Sequence, residues 1–358
     1  MSNARQRVLA DCFSLEEHPF DPQLDARRKL DFRRRGVSLT KPLDVFNVEE
    51  LKDYFIRTGP FKDAVEQVKD FLTRTNYPNG GAYPPAFLIH GDKGVGRSTM
   101  ASFLGYQIKK RNPAGASFNN VPVVSENVGK LLFSIKNYIR LHINKFQLPN
   151  CNDALNFYSN TDINPADPSL DYLRQIFVQL ATCMVASPPL ILEIESITYV
   201  DRKEWMSQLY DYLKPLNIVL IFMTEDPRVF HYFQKQRNLG RIVGQEVSLE
   251  PLDRQMAEEF LTSRLANFRS AQSPVNKAGL FPFAAQILNQ TFPPGTKIGI
   301  KRLESMFHGA FNLKLDQLSG RYVQPGQPPN PPIRADELLI PFESVGDYLQ
   351  GSIRQRKP

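Results

Sequence analysis

Three glycines stand within six residues of one another in Gly91-Asp92-Lys93-Gly94-Val95-Gly96, between a strand-like run and a helix-like stretch. Ala86-Phe-Leu-Ile-His90 precedes them, and Met100, Phe103, Leu104 and Ile108 follow at helical intervals. Such a loop lets backbone N–H groups turn inward around an anion, and the helix behind it offers free donors and the positive end of its dipole. With Arg97-Ser98 the segment completes the phosphate-loop spacing Gly-x4-Gly-x-Ser, with arginine where lysine is usual. Gly91, Gly94, Val95, Gly96, Arg97, Ser98 and Thr99 are therefore the candidates for holding a nucleotide's phosphates, and the Ser98 hydroxyl is the candidate for its Mg²⁺. A plain glycine turn between strand and helix is the alternative.

Arg97 makes the pattern specific. A lysine at this place is a compact point charge, whereas arginine is longer, planar and suited to a two-pronged grip. The exchange keeps attraction for phosphate and moves the charge away from where phosphoryl transfer needs it. Lys93 offers a second charge within the loop, or a solvated side chain.

Around the loop the chain alternates strands and helices. Residues 60–74 carry Phe61, Val65, Val68 and Phe71/Leu72 at helical spacing, and Pro78, Gly80, Gly81, Pro84 and Pro85 mark a loop. Val121–Ser125, Leu190–Ile194, Ile218–Met223 and Glu246–Leu249 are further strand candidates. Leu170/Leu173/Phe177/Leu180 and Trp205/Leu209/Tyr212 mark intervening helices. The alternation predicts a parallel sheet covered on both faces, a three-layer α/β fold. After Pro251 the pattern turns helical, with one face at Met256, Phe260, Leu261 and Leu265 and another at Leu303, Phe307 and Phe311. The expected division is an N-terminal basic arm over 1–58, a phosphate-loop α/β domain over 59–251, a small helical lid over 252–320 and a proline-rich linker and tail over 321–358.

A nucleotide site of this kind needs an acidic strand end beside the loop. Leu190-Ile-Leu-Glu-Ile-Glu-Ser196 supplies Glu193 and Glu195 on one face. No register gives the usual aspartate–glutamate pair, since Ser196 follows Glu195 and Ile194 follows Glu193. Glu195 is the candidate second support for Mg²⁺, and either glutamate is a candidate for polarising water; a merely buried strand is the alternative. Thr224, ending the Ile218–Met223 run, is placed either to sense a γ-phosphate or, with Asp226, to cap the helix that Pro227 opens.

In layout the chain resembles the AAA+ ATPases, from about Gly59 to Ala310, and within them the origin-recognition, transposition-regulator and secretion-ATPase branches and the signal-transduction ATPases with numerous domains. The resemblance rests on the loop at Gly91–Thr99, the acidic strand at Leu190–Glu195, the polar strand end at Thr224 and Gln245–Leu252 leading into the lid. It implies that Ile298-Gly-Ile-Lys-Arg-Leu303 carries the second sensor arginine at Arg302. It also implies that Arg237 or Arg241 occupies the region of an arginine finger acting on a neighbouring subunit, and so a homo-oligomer or larger assembly. Each of these arginines has a plain surface reading as well.

Charge sharpens the expectation about partners. The chain carries a net +7, but residues 27–36 and the tail at Arg354, Arg356 and Lys357 hold all of the excess. The segment Arg27–Arg35 is the candidate contact for nucleic acid, with Phe32 its one aromatic, so base stacking is not suggested; docking an acidic partner or plain solvation are the alternatives. Cys12, Cys151 and Cys183 are odd in number and widely spaced, which predicts neither a disulfide framework nor a zinc site. With no long apolar run or leader pattern, a cytoplasmic chain with no membrane insertion is expected. Three functions follow: an ATP-binding assembly switch with weak or absent hydrolysis, a DNA-associated active ATPase, and a nucleotide-free structural adaptor.

Overall fold

The computed structural model describes residues 3–16, 18–20, 59–77, 84–122, 127–148, 150–151, 154–155, 169–185, 187–195, 197, 204–235, 243–266, 268–273, 279–284, 286–293, 295–322 and 327–340. In chain order it begins with a short helix α1 (Asn3–Arg7) running into a π-helical turn over Val8–Phe13. Then follow α2 (Gly59–Arg74), β1 (Ala86–His90), α3 (Arg97–Lys110), β2 (Ser117–Val121), α4 (Val128–Phe146) and α5 (Leu170–Met184). The sheet is completed by β3 (Leu190–Ile194), β4 (Ile218–Thr224) and β5 (Val243–Ser248), with α6 (Trp205–Leu213) and α7 (Pro227–Lys235) between them. The lid contains α8 (Arg254–Ala266), α9 (Ile287–Thr291) and α10 (Ile300–Ser319).

The five strands pair in the order β2-β3-β4-β1-β5, every pair parallel. β4 lies in the middle, is buried along its whole length, and accordingly has the most continuous apolar run in the chain. Alternation sorts the strand residues to two faces. Leu88, Leu192, Leu220 and Phe222 pack with residues of α4, α5, α6 and α7, while Phe87, Ile89, Ile191, Ile221 and Met223 pack with α2 and α3. The expected three-layer α/β architecture is present.

β2 corrects one expectation. The strand is Ser117-Phe-Asn-Asn-Val121; of the expected span Val121–Ser125, residues 123–125 lie outside the described residues. It sits at the sheet edge, where polar Asn119 and Asn120 remain half-buried, and Pro122 has no N–H to extend the ladder.

The lid is assembled from three distant stretches. Val8, Leu9, Phe13, Leu15 and Phe20 from the start of the chain pack into one core with α8 and α10, and Ile340 joins them from the far end. Backbone bridges Leu15–Arg269, Leu252–Ile298 and Phe283–Ile340 knit the stretches together. The aromatic centre places Phe13 5.2 Å from Phe311 and Phe283 4.6 Å from Phe307, ring centre to ring centre. Near the far end Arg321 grips Glu337 through both oxygens, at 3.0 and 2.6 Å, and draws its carboxyl down to about 2. Residues 3–16 and 18–20 thus pack into this helical core, because their apolar side chains help to fill it. Residues 327–340 likewise fold back on it rather than trailing away. The basic segment Arg27–Arg35 and the tail beyond residue 340 lie outside the described residues.

Cys151 and Cys183 form a disulfide, with Cα atoms 5.5 Å apart. The expectation of no disulfide fails because the fold brings the C-terminal turn of α5 against the segment after α4, a proximity invisible in a spacing of 32 residues. Cys12 takes no part in a disulfide; it is buried, with its Sγ 3.5 Å from the Tyr322 hydroxyl. Among the described residues no helix is long and apolar enough to cross a membrane.

Candidate functional site

The glycine loop joins the end of β1 to the head of α3 and is anchored on both sides. Gly91 N–H donates to the Thr224 carbonyl of β4 at 3.2 Å, and Leu249 N–H, just past β5, donates to the His90 carbonyl at 2.8 Å. At Gly91 a side chain has no room: a Cβ would stand 2.5 Å from the Leu249 carbonyl oxygen. Gly96, at φ 103°, turns the chain into α3 with its carbonyl accepting from Met100 N–H. Val95 is buried beneath the loop, while Ser98 is exposed on the first turn of α3 and Thr99 is half-buried. The loop thus leads directly into the N-terminus of a 14-residue helix, where free backbone donors gather.

Arg97, the first residue of α3, is largely withdrawn from solvent, with its side chain 14% exposed. Its Nη2 donates to Glu225 Oε1 just beyond the end of β4, while Nη1 is buried with no hydrogen-bond partner. A buried donor left in that state costs about 1–3 kcal/mol, so the guanidinium has bonding capacity to give. The neighbouring acid is differently placed: Asp226 is gripped by Arg228 at 2.9 and 2.8 Å, and also caps the start of α7 by accepting from Arg228 N–H at 3.0 Å.

The acidic strand β3 divides its two glutamates. Glu193 is wholly buried, opposite Ile221 of β4, which in turn lies opposite Phe87 of β1. That level is four residues short of Gly91, roughly 13 Å along the strand. Glu195, two residues nearer the loop end, is half-buried and accepts from Asn120 Nδ2 of β2. The register therefore favours Glu195 over Glu193 for any role near a phosphate. Thr224 is fully buried; its hydroxyl donates to the Ile197 carbonyl at 2.6 Å and accepts from Asp226 N–H at 3.0 Å. Its single proton is committed to tying the end of β3 to the end of β4.

The lid meets the loop directly. Lys301 N–H, in the first turn of α10, donates to the Gly94 carbonyl at 3.0 Å. Gly299 packs against the same spot, where a Cβ would lie 3.6 Å from the Gly94 oxygen. Gly94 has φ 89°, and a Cβ there would stand 3.1 Å from Lys301 Cβ, so glycine serves both the turn and the lid contact. Arg302 follows, exposed, one residue from that contact. Arg237 and Arg241 lie outside the described residues. His90 at the mouth of the loop stacks 5.4 Å from Phe230; burial holds its pKa below the ordinary value, with Asp92 pulling up and Arg97 pulling down.

No protein-family model matches the chain, and no curated protein matches it by sequence. Solved structures do match. The Aeropyrum pernix ORC2 protein in its ADP form superposes with a TM-score of 0.51 at 13% identity, over 82% of this chain and 68% of that one. ADPNP-ADP complexes of the same protein give 0.50 at 12%, over 80% and 67%. The Aeropyrum pernix ORC1 protein in complex with DNA gives 0.50 at 9%, over 82% and 66%. The fold is AAA+-like.

The chain spans about two thirds of the length of those proteins, and at such identities the likeness concerns the fold alone. Within this AAA+-like frame, two residues of the site escape sequence reading. Asn120 holds Glu195, and Glu225 holds Arg97 from 128 positions away. Glu225 stands beside Thr224 in the sequence, but nothing local signals its partner.

Proposed function

We propose that this chain is a nucleotide-dependent switch that binds ATP with Mg²⁺ through the loop Gly91–Ser98, hydrolyses it slowly or not at all, and uses occupancy to set the lid and assembly with other subunits. The reading rests on one observation above all: three glycines shape a backbone cradle at a helix N-terminus, and the first turn of α10 is hydrogen-bonded to it at Gly94. The loop suits a polyphosphate, since Gly94 and Gly96 hold backbone turns that glycine adopts freely and Arg97 keeps a buried nitrogen without a partner. A ligand there would press on the loop whose carbonyl holds the lid, so two lid positions would bind it with different affinity. The ADP and ADPNP of the ORC2 structures support the same choice of ligand.

Weak turnover is inferred from the side chains. Arg97 is engaged by Glu225, Glu195 by Asn120, and the Thr224 proton by Ile197. When bound, Mg²⁺ would neutralise phosphate charge, with Ser98 and Glu195 as its nearest protein support. Arg302, and Arg237 or Arg241 from a neighbouring subunit, are the further cations of this reading.

The test is a melting curve taken with and without Mg-ATP, alongside phosphate release. Saturation to about 100 times Kd stabilises a binding protein by about 2.7 kcal/mol. A clear rise in Tm with slow release supports the switch, fast release supports an active ATPase, and no rise supports the nucleotide-free adaptor. Contact with nucleic acid is a second reading, supported by Arg27–Arg35 and by the DNA bound to the ORC1 structure. It requires DNA binding that weakens steeply with salt.

A further inference from the structure

We infer that Glu225 is a built-in competitor for the phosphate site: it holds Arg97 as an internal counter-ion, and a polyphosphate binds by drawing the arginine off it. This rests on the reading of the glycine loop as a phosphate site and adds a residue that sets its affinity. Arg97 opens the helix at whose head the anion would sit, yet its Nη2 is bonded to the carboxylate at the end of β4. A carboxylate and a phosphate offer a guanidinium the same kind of acceptor, so one arginine edge serves either in turn.

The pair is asymmetric in a way that suits exchange. The Arg97 side chain is 14% exposed and keeps Nη1 without a partner, while the Glu225 side chain is 52% exposed. On release the carboxylate returns to water at little cost, whereas the guanidinium stays in a poorly hydrated place and gains from a partner that reaches more of its donors. The adjacent Asp226 offers no equivalent, because Arg228 and the first turn of α7 already engage it. An anion of higher charge displaces a carboxylate more readily, so this arrangement favours triphosphates over monophosphates.

The experiment measures affinity of the full chain for Mg-ATP and for inorganic tripolyphosphate, comparing the unaltered protein with Glu225→Gln and Glu225→Asp. Glutamine removes the charge, and aspartate keeps the charge but is one methylene too short for the same contact. Both variants are expected to bind tripolyphosphate and ATP about two- to fivefold more tightly, the size of one partly exposed ion pair. Tighter binding by the glutamine variant alone would reduce Glu225 to bulk negative charge and overturn the competition. Unchanged or weaker binding by both, with the unaltered protein still binding, would overturn it while leaving the phosphate site standing. If none of the three proteins binds either probe, the phosphate-site reading itself fails and takes the competitor with it. Matching Tm values for the three proteins without ligand exclude a folding defect as the source of any difference.

Discussion

Two neighbouring parts of the site are built on different terms. The glycine loop and the head of α10 form a site of backbone: its shape comes from Gly91, Gly94 and Gly96, and its contact with the lid is one amide on one carbonyl. The ends of β3 and β4 form a site of side chains, in which Glu195, Thr224 and Glu225 are each engaged by other parts of the protein. On the proposed reading the first would receive a ligand, while the side chains of the second already have partners within the protein. If the loop holds a nucleotide as proposed, holding it and turning it over should be separable by substitution at the two parts.

The largest effect should come from the backbone side. Gly91→Val places a Cβ against the Leu249 carbonyl at an approach of 2.5 Å in the anchored loop. It should cost about 4 kcal/mol or more and abolish ATP binding, as read by chemical denaturation and titration calorimetry. A variant that binds ATP normally would show that the cradle is not where the ligand sits.

Acid should act on the α/β core, away from both parts of the site. His142 of α4 is buried, and burial, helped by the Lys145 charge, depresses its pKa to about 4 while the nearby Pro188 carbonyl pulls weakly the other way. The fold holds the neutral ring, and the unfolded chain takes up a proton from about pH 6.5 downward. Its contribution is therefore full above pH 6.5 and is lost as pH falls toward 4, up to about 3 kcal/mol in total. Denaturation of His142→Leu over this range should show a shallower fall in stability than the unaltered chain; parallel curves would remove His142 as the cause.

Smaller changes test how the side chains are held. Arg97→Ala should weaken ATP binding about tenfold by deleting the cation and leaving Glu225 unpaired near the phosphates, and an unchanged Kd would count against the site. Asn120→Ala frees Glu195 and should raise phosphate release about two- to threefold with little change in affinity. A fall in release would instead make Asn120 the residue that positions Glu195.

The same contrast governs what the sequence discloses. β1, β3 and β4 are legible because central parallel strands need unbroken apolar runs, and the loop is legible because close backbone approach leaves few choices but glycine. β2 is misread because an edge strand tolerates Asn119 and Asn120. The ends of this core are missed because Phe13 packs on Phe281 and Phe311 and Ile340 bridges to Phe283, pairings that no local period encodes. The pairs Arg97–Glu225, Asn120–Glu195 and Cys151–Cys183 are hidden for the same reason.

The central claim is that amides around Gly91–Ser98 wrap a polyphosphate and that the lid registers it through Gly94. Hydrogen–deuterium exchange with and without Mg-ATP tests this directly. Slower exchange is expected both at Gly91–Ser98 and in the first turn of α10 around Lys301. Exchange that is unchanged at the loop under saturating ATP would contradict the account.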